Sequence, residues 1–210
     1  MRILVIAATR PEIDPFCGVF NNRKGIDVLV TGVGMVATSY YLVKQLYIDQ
    51  YDLVINAGIA GAFDRKISLG DVVEVKIDEF SELGVEDEEG FSSVFQMSLI
   101  ERNNTPFKEG KLINPNAGLT ALNMVNGITV NTVHGNSRAI DRIVSRCKPD
   151  VESMEGGAVA YVCLQERMPF VQIRSISNYV ESRDKSAWDI PLAIEKLNEE
   201  LIAFVKRQIK

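Results

Sequence analysis

The run ILVIAA, residues 3–8, offers no polar side chain to either face of a strand. Strands with one wet face alternate apolar and polar residues, whereas a continuously apolar run has to be covered on both sides. The same β-branched texture recurs at residues 27–31, 52–57, 71–77, 128–133 and 169–177. Longer segments with helical periodicity separate these runs, at 35–49, 137–146, 155–167 and 190–208. This alternation specifies an α/β fold in three layers, α/β/α, with helices on both sides of a central mixed sheet. The last segment lines up Ile190, Ala193, Ile194, Leu197, Leu201, Phe204 and Val205 on one side and reads as a packing helix, with Trp188 packing ahead of it.

A chain of 210 residues fills one domain, residues 1–210, without needing a second. The formal net charge of −5, with no basic stripe, disfavours nucleic acid and anionic membranes as partners. Cys17, Cys147 and Cys163 form no C-x-x-C pair, which indicates neither a disulfide framework nor a zinc site and points to a reducing cytoplasm. The apolar opening is short and runs at once into Arg10 and Glu12, so it reads as a buried strand and not as a signal peptide. No stretch approaches the roughly 20 apolar residues of a membrane span. Residues 81–110 are acid-rich and weakly periodic, an excursion from the sheet that serves either as a lid or as a solvated insertion.

VTGVGMVA sets Gly32, Gly34 and Ala37 in the G-x-G-x-x-A spacing of a dinucleotide-binding turn, which keeps a non-catalytic nucleotide-binding module open as a reading. The acid that such a site needs at the end of the next strand is missing, because DLVINAG ends there in Asn56 and Ala57. NAGIAGAF follows as a second glycine turn, making Ala60 and Gly61 candidate substrate-binding positions. Glycine lacks the Cβ that blocks close backbone approach, so two such turns at successive strand ends suit a small polar ligand. Taken singly, each is equally well a tight strand exit.

DVESMEGGAVAYVC runs a strand into a helix and puts Glu155 at the helix start, where the dipole stabilises an anion. Alone, such an acid reads as a capping residue. Its company is Glu12 beyond the first strand and Asn178 beyond a late one, and all of them lie at strand exits with the glycine turns.

The successive motifs TGVGMVAT, NAGIAGAFDRKISLGDVV, VESMEGGAVAYVC and PFVQIRSISN resemble those of the purine nucleoside phosphorylase and nucleosidase superfamily, which includes 5′-methylthioadenosine/S-adenosylhomocysteine nucleosidase. Within it, VESMEGGA, QIRSISNYVESRDKSAW, ELGVEDEEGF and TVNTVHG are most similar to futalosine hydrolases, which release hypoxanthine from futalosine on a bacterial route to menaquinone. The resemblance implies a nucleoside phosphorylase/hydrolase-like fold, a small-molecule nucleoside substrate, no metal or other cofactor, and a homodimer or larger homo-oligomer. It puts Glu12 on the glutamate that activates water and Arg174 beside the nucleophile. Met154 and Glu155 fall against the ribose, Asn178 on the purine, and Val133 and His134 against the base.

The residue types suit such a reaction. Breaking an N-glycosidic bond builds positive charge on the sugar and negative charge on the departing purine. A glutamate near water is a general base, and a second one favours the cationic sugar. Adenine nucleosidases of the superfamily carry an aspartic acid at the purine position. Asparagine has an obligate NH₂ donor and delivers no proton, so Asn178 fits a 6-oxopurine, whose 6-oxo oxygen and position-7 nitrogen both accept. Glu12 would repel a phosphate dianion, which favours water as nucleophile, although Arg10 and Arg65 lie near the turns. Futalosine ends in a benzoate, for which Arg10, Arg183 and Lys185 are candidate cations or merely solvated charges. Ile59 stands where adenine nucleosidases commonly carry serine, and His134, the one histidine, has no identifiable Ser or Asp partner in the sequence.

Overall fold

The computed structural model describes residues 1–88, 90–182 and 185–209, with Lys185 described by its backbone alone. β1 (Ile3–Ala7) is buried at every residue, as its sequence requires, and pairs in parallel with β2 (Ile26–Val30) and β3 (Leu53–Ala62). α1 (Arg10–Phe20) and α5 (Ile190–Gln208) cover one face through Phe16, Leu197 and Phe204. α2 (Met35–Ile48) and α4 (Gly156–Gln165) cover the other through Leu42, Val159 and Cys163. The three-layer expectation is met.

The remaining strands bend the sheet round on itself. β10 (Phe170–Tyr179) runs parallel to β3 and antiparallel to β4 (Val72–Asp78); β8 (Asn123–Thr129) joins β4 to β9 (Val151–Ser153), and β9 returns antiparallel to β3. β3, β10, β4, β8 and β9 therefore form a closed ring beside the open β3–β1–β2 portion, with the short β7 (Leu112–Ile113) added on β4. α3 (Ser137–Cys147) packs over β8 through Ile143 and Ile128. Among the described residues no helix is long and apolar enough to cross a membrane.

Three expectations need correction. NAGIAGAF is not a turn: β3 continues through Gly58 and Gly61 for ten residues. These glycines are needed for what lies across them, since a Cβ on Gly58 would sit 2.2 Å from Arg174 Nη1. β8 begins at Asn123 and not at Ile128, because Asn123, Asn126 and Gly127 interrupt its apolar run. The excursion does not cover the cavity above β3 described below, whose wall includes none of its described residues. Instead β5 (Gly84–Asp87) and β6 (Gly90–Ser93) form a hairpin held on α3 by Arg146, which stacks 3.9 Å from the Phe91 ring centre and donates to the Ser81 carbonyl.

α1 is the element the sequence hides, because Pro11, Pro15 and Gly18 fall within eleven residues. Proline in the first turn costs no hydrogen bond, but Pro15 interrupts the helix interior. Asn198 of α5 repairs the break: its Oδ1 accepts from Phe16 N at 2.9 Å and its Nδ2 donates to the Glu12 carbonyl at 2.9 Å. Asn198→Leu should orphan two buried backbone groups at about 1–3 kcal/mol each. At the lower end, about 2 kcal/mol, Tm in a thermal melt falls by roughly 4–8 °C. An unchanged Tm would refute the repair.

Candidate active site

Above β3 lies a cavity of about 340 Å³ that brings the strand exits together. Its wall includes Glu12, Ala60, Gly61, Val133, His134, Met154, Glu155 and Asn178 from the sequence-based set. Arg174 lies beneath that wall and is 2% exposed. Trp188 also reaches the wall, so it is more than a packing residue for α5.

One end of the cavity is anionic around a buried cation. Glu12 Oε2 accepts from Thr9 N at 2.9 Å and Thr9 Oγ1 at 2.7 Å, and Oε1 accepts from Ile59 N at 3.2 Å. Two backbone amides and the Thr9 hydroxyl thus hold Glu12, although Ile59 supplies no hydroxyl. Oε1 also lies 3.2 Å from the point where a Gly58 Cβ would be, so Glu12 and the Arg174 guanidinium converge over this glycine. Burial pulls the Arg174 pKa down, opposed by the charges of Glu155, Glu12 and Asp78; the guanidinium remains a cation.

Glu155 does not cap its own helix. It is the N-cap residue of α4 but makes no side-chain cap there. Its Oε1 crosses 121 positions of sequence to accept from Gly34 N at 2.9 Å. Gly32 (φ 85°) and Gly34 (φ 94°) do make the expected turn, but a carboxylate of the chain itself takes the Gly34 N–H that a dinucleotide would use. Burial pushes the Glu155 carboxyl up and Glu12 adds to this, outweighing Arg174 and the Gly34 N–H.

The other end of the cavity lies three residues along β3, about 10 Å away. There Gly61 pairs with Glu152 on one side and Asn178 on the other, so both side chains flank a position without Cβ. Asn178 Nδ2 donates to the Tyr179 carbonyl at 3.1 Å and Oδ1 accepts from Ser177 Oγ at 2.8 Å. The carbonyl can only accept, which fixes the amide orientation and leaves one N–H for a ligand.

Glu152 is the site residue the sequence reading missed, and it gives His134 the acid partner that was not identifiable. Its oxygens accept from His134 N at 3.0 Å and meet Nδ1 at 2.7 Å. This bond keeps the imidazole protonated to higher pH than a free histidine, against the effect of its partial burial. The available signal was an acid inside a buried strand, which needs a partner.

Of the candidate cations, Arg10 pairs with Asp14 and lines a separate surface depression near the start of the chain. Arg65 pairs with Glu181 at 2.8 Å, outside the cavity wall. Arg183 and the Lys185 side chain lie outside the described residues. Among the described residues, no lysine or arginine lines the cavity, and no cluster of side chains suited to a metal ion is found.

Residues 7–210 match the Phosphorylase superfamily. A futalosine hydrolase of Acidothermus cellulolyticus is 33% identical over 84% of this chain and 74% of its own length. A 5′-methylthioadenosine/S-adenosylhomocysteine nucleosidase of Shewanella sp. (strain MR-7) is 30% identical over 85% of this chain and 84% of its own. The native structure of the futalosine hydrolase of Helicobacter pylori strain 26695 has the same fold, with a TM-score of 0.82 at 17% identity over 99% of this chain and 98% of that one. The chain belongs to the phosphorylase superfamily. Within it the chain is a nucleoside hydrolase, an N-glycosidase similar to the futalosine hydrolases.

Proposed function

We propose that the enzyme hydrolyses the N-glycosidic bond of a 6-oxopurine nucleoside, with futalosine as substrate and hypoxanthine and dehypoxanthine futalosine as products, in menaquinone biosynthesis. Glu12 takes the proton of the attacking water. Glu155, with Met154 beside it, binds the ribose hydroxyls and favours the cationic sugar, and Arg174 beneath offsets the charge of both carboxylates. The base lies over Gly61 between Asn178 and the Val133–His134 segment. The observation that carries this reading is the single free N–H of Asn178. It corrects the sequence argument in one respect, because the amide can serve only one of the two purine acceptors.

Water is favoured over phosphate because no described lysine or arginine lines the cavity. The apolar wall of Pro11, Val33 and Ile194 would take a methylthio group as readily as an aryl ring, so the second reading is a methylthioadenosine/S-adenosylhomocysteine nucleosidase. Incubation with futalosine, inosine, 5′-methylthioadenosine and S-adenosylhomocysteine, with and without phosphate, separates them. Hypoxanthine release without phosphate supports the proposal; adenine release alone supports the second reading.

Glu155 has to be ionised to favour a cationic sugar, and its pKa is raised. The acid limb of kcat/KM should therefore lie above the ordinary glutamate value of about 4.3. In stability the sign is the reverse. As pH rises through the raised pKa the folded protein ionises a carboxyl that the unfolded chain has already ionised, so Glu155 becomes progressively less favourable to folding. An acid limb at or below about 4.3 would argue against this role.

A second copy of the chain is proposed to cover α2. Val36, Tyr40, Val43 and Tyr47 form one exposed stripe on it, with Val36 and Tyr47 each 84% exposed. Apolar surface of this kind marks an interaction site, and Val33, at the start of the same segment, reaches the cavity wall. Light scattering should give a dimer or larger assembly that Tyr47→Asp dissociates; a wild-type monomer refutes it.

A further inference from the structure

Beneath the cavity floor a chain of buried polar groups runs across three strands and ends on α4. Arg174 Nε donates to Gln172 Oε1 at 3.1 Å, and Gln172 Nε2 donates to Asp78 Oδ2 at 3.0 Å. From the opposite side, Gly157 N donates to Thr129 Oγ1 at 2.6 Å, and Thr129 Oγ1 donates to Asp78 Oδ1 at 2.9 Å. None of Arg174, Gln172, Asp78 or Thr129 is more than 2% exposed.

The directions of these bonds are forced. A guanidinium only donates, so Gln172 presents its oxygen to Arg174 and its NH₂ to Asp78. A backbone amide only donates, so the Thr129 proton is free for Asp78. Both arms therefore end on the Asp78 carboxylate. One arm holds Arg174, and the other holds the first turn of α4, whose N-cap residue is Glu155. Space for the junction is made by a glycine: a Cβ on Gly156 would lie 2.1 Å from Gln172 Oε1 and 2.5 Å from Asp78 Oδ2.

We propose that Asp78 is a positioning residue of the reaction, whose carboxylate fixes Arg174, through Gln172, and Glu155, through Thr129 and the start of α4, relative to one another. This rests on the proposed assignment of Arg174 and Glu155 to the reaction centre. The charged groups facing Arg174 are Glu155, Glu12 and Asp78, and Arg174 is the charged group facing Asp78. Burial pushes the Asp78 carboxyl up, while Gln172, Thr129 and Arg174 act to keep it ionised. A buried carboxylate is costly unless bonded and paired, and here its bonds lead to two groups of the site.

Asp78→Asn and Gln172→Met test this, measured by kcat, KM and the pH profile of kcat/KM on the full chain. The amide introduced by the first substitution still accepts from Gln172 and donates to Thr129, and the thioether introduced by the second keeps the side-chain volume. Misplacing Arg174 should lower kcat roughly 10- to 100-fold, with KM changing less than about twofold if only the transition state is affected. In Gln172→Met, Glu155 loses part of the cation that holds its pKa down, so the acid limb should move to higher pH. A purely structural role would lower Tm and leave that limb in place. The double variant should be little worse than the worse single one, because Asp78→Asn removes the charge at the end of the arm whose middle link Gln172→Met removes. If Asp78→Asn does not fold, Gln172→Met alone decides. Wild-type kcat and pH profile in folded Gln172→Met overturn the inference, provided Arg174→Gln collapses turnover; if Arg174→Gln keeps full turnover, the reaction-centre assignment itself falls.

Discussion

Glu12→Gln should lower kcat by about 10²- to 10⁴-fold, the usual contribution of a positioned general base, and leave the affinity for the free purine product nearly unchanged. The three groups around the carboxylate, Thr9 N, Thr9 Oγ1 and Ile59 N, all point at it as donors. Each carboxylate oxygen has a second acceptor position, so one remains for the water proton. Glutamine keeps its oxygen toward the two Thr9 donors and turns its NH₂ toward Ile59 N, losing one bond at a cost of about 1–3 kcal/mol. The helix carrying it stays anchored by Asn198, so the loss should be chemical. Steady-state turnover with calorimetric titration of hypoxanthine separates the two effects. Turnover within about threefold of wild type would remove Glu12 as the base, since general-base losses are far larger.

Asp78→Asn and Glu12→Gln probe opposite sides of Arg174, and this bears on what the sequence made legible. Continuous apolar runs are a local signal, and they marked β1, β2, β4 and β10 closely but not the far end of β3 or the start of β8. Glu12, Glu155 and Asn178 stand out in the sequence because each reads as following a strand, and the ends of strands converge in an α/β fold. Glu12 and Glu155 do follow β1 and β9, whereas Asn178 is the last residue but one of β10. What was not legible depends on contacts distant in sequence. Glu155 looks like a helix cap until its carboxylate is seen on Gly34. α1 is hidden because its proline is repaired by Asn198 from the far end of the chain. Gly58 and Gly61 looked like turns because glycine marks both tight turns and close approach, and only the Arg174, Glu152 and Asn178 side chains beside them distinguish the two. Glu152 and Asp78 drew no reading from the sequence, although a strand buried on both faces cannot hold an acid unpartnered.

Asn178→Asp should shift the enzyme from 6-oxopurine toward adenine nucleosides, tens- to hundredfold in the ratio of kcat/KM. In the wild type one N–H of Asn178 is bound to the Tyr179 carbonyl and the other is presented to the base. An adenine amino group there sets donor against donor and leaves a buried group unsatisfied, at about 1–3 kcal/mol, which is roughly 5- to 150-fold. Aspartate presents an oxygen in place of that N–H and so accepts from the amino group. That same oxygen also faces the Tyr179 carbonyl, which disfavours the anion and favours a protonated acid. The variant therefore gains a proton to share with the leaving group as well as an acceptor for adenine. Its activity on adenine nucleosides should decline as pH rises and that proton is lost, a dependence that wild-type asparagine cannot produce at this position. Rates on inosine and 5′-methylthioadenosine across pH, for both proteins, measure the shift. An unchanged ratio would move base selection away from Asn178 to the His134–Glu152 pair, the other polar group flanking Gly61. Glu152→Gln then becomes the informative variant, because it removes the partner that raises the His134 pKa.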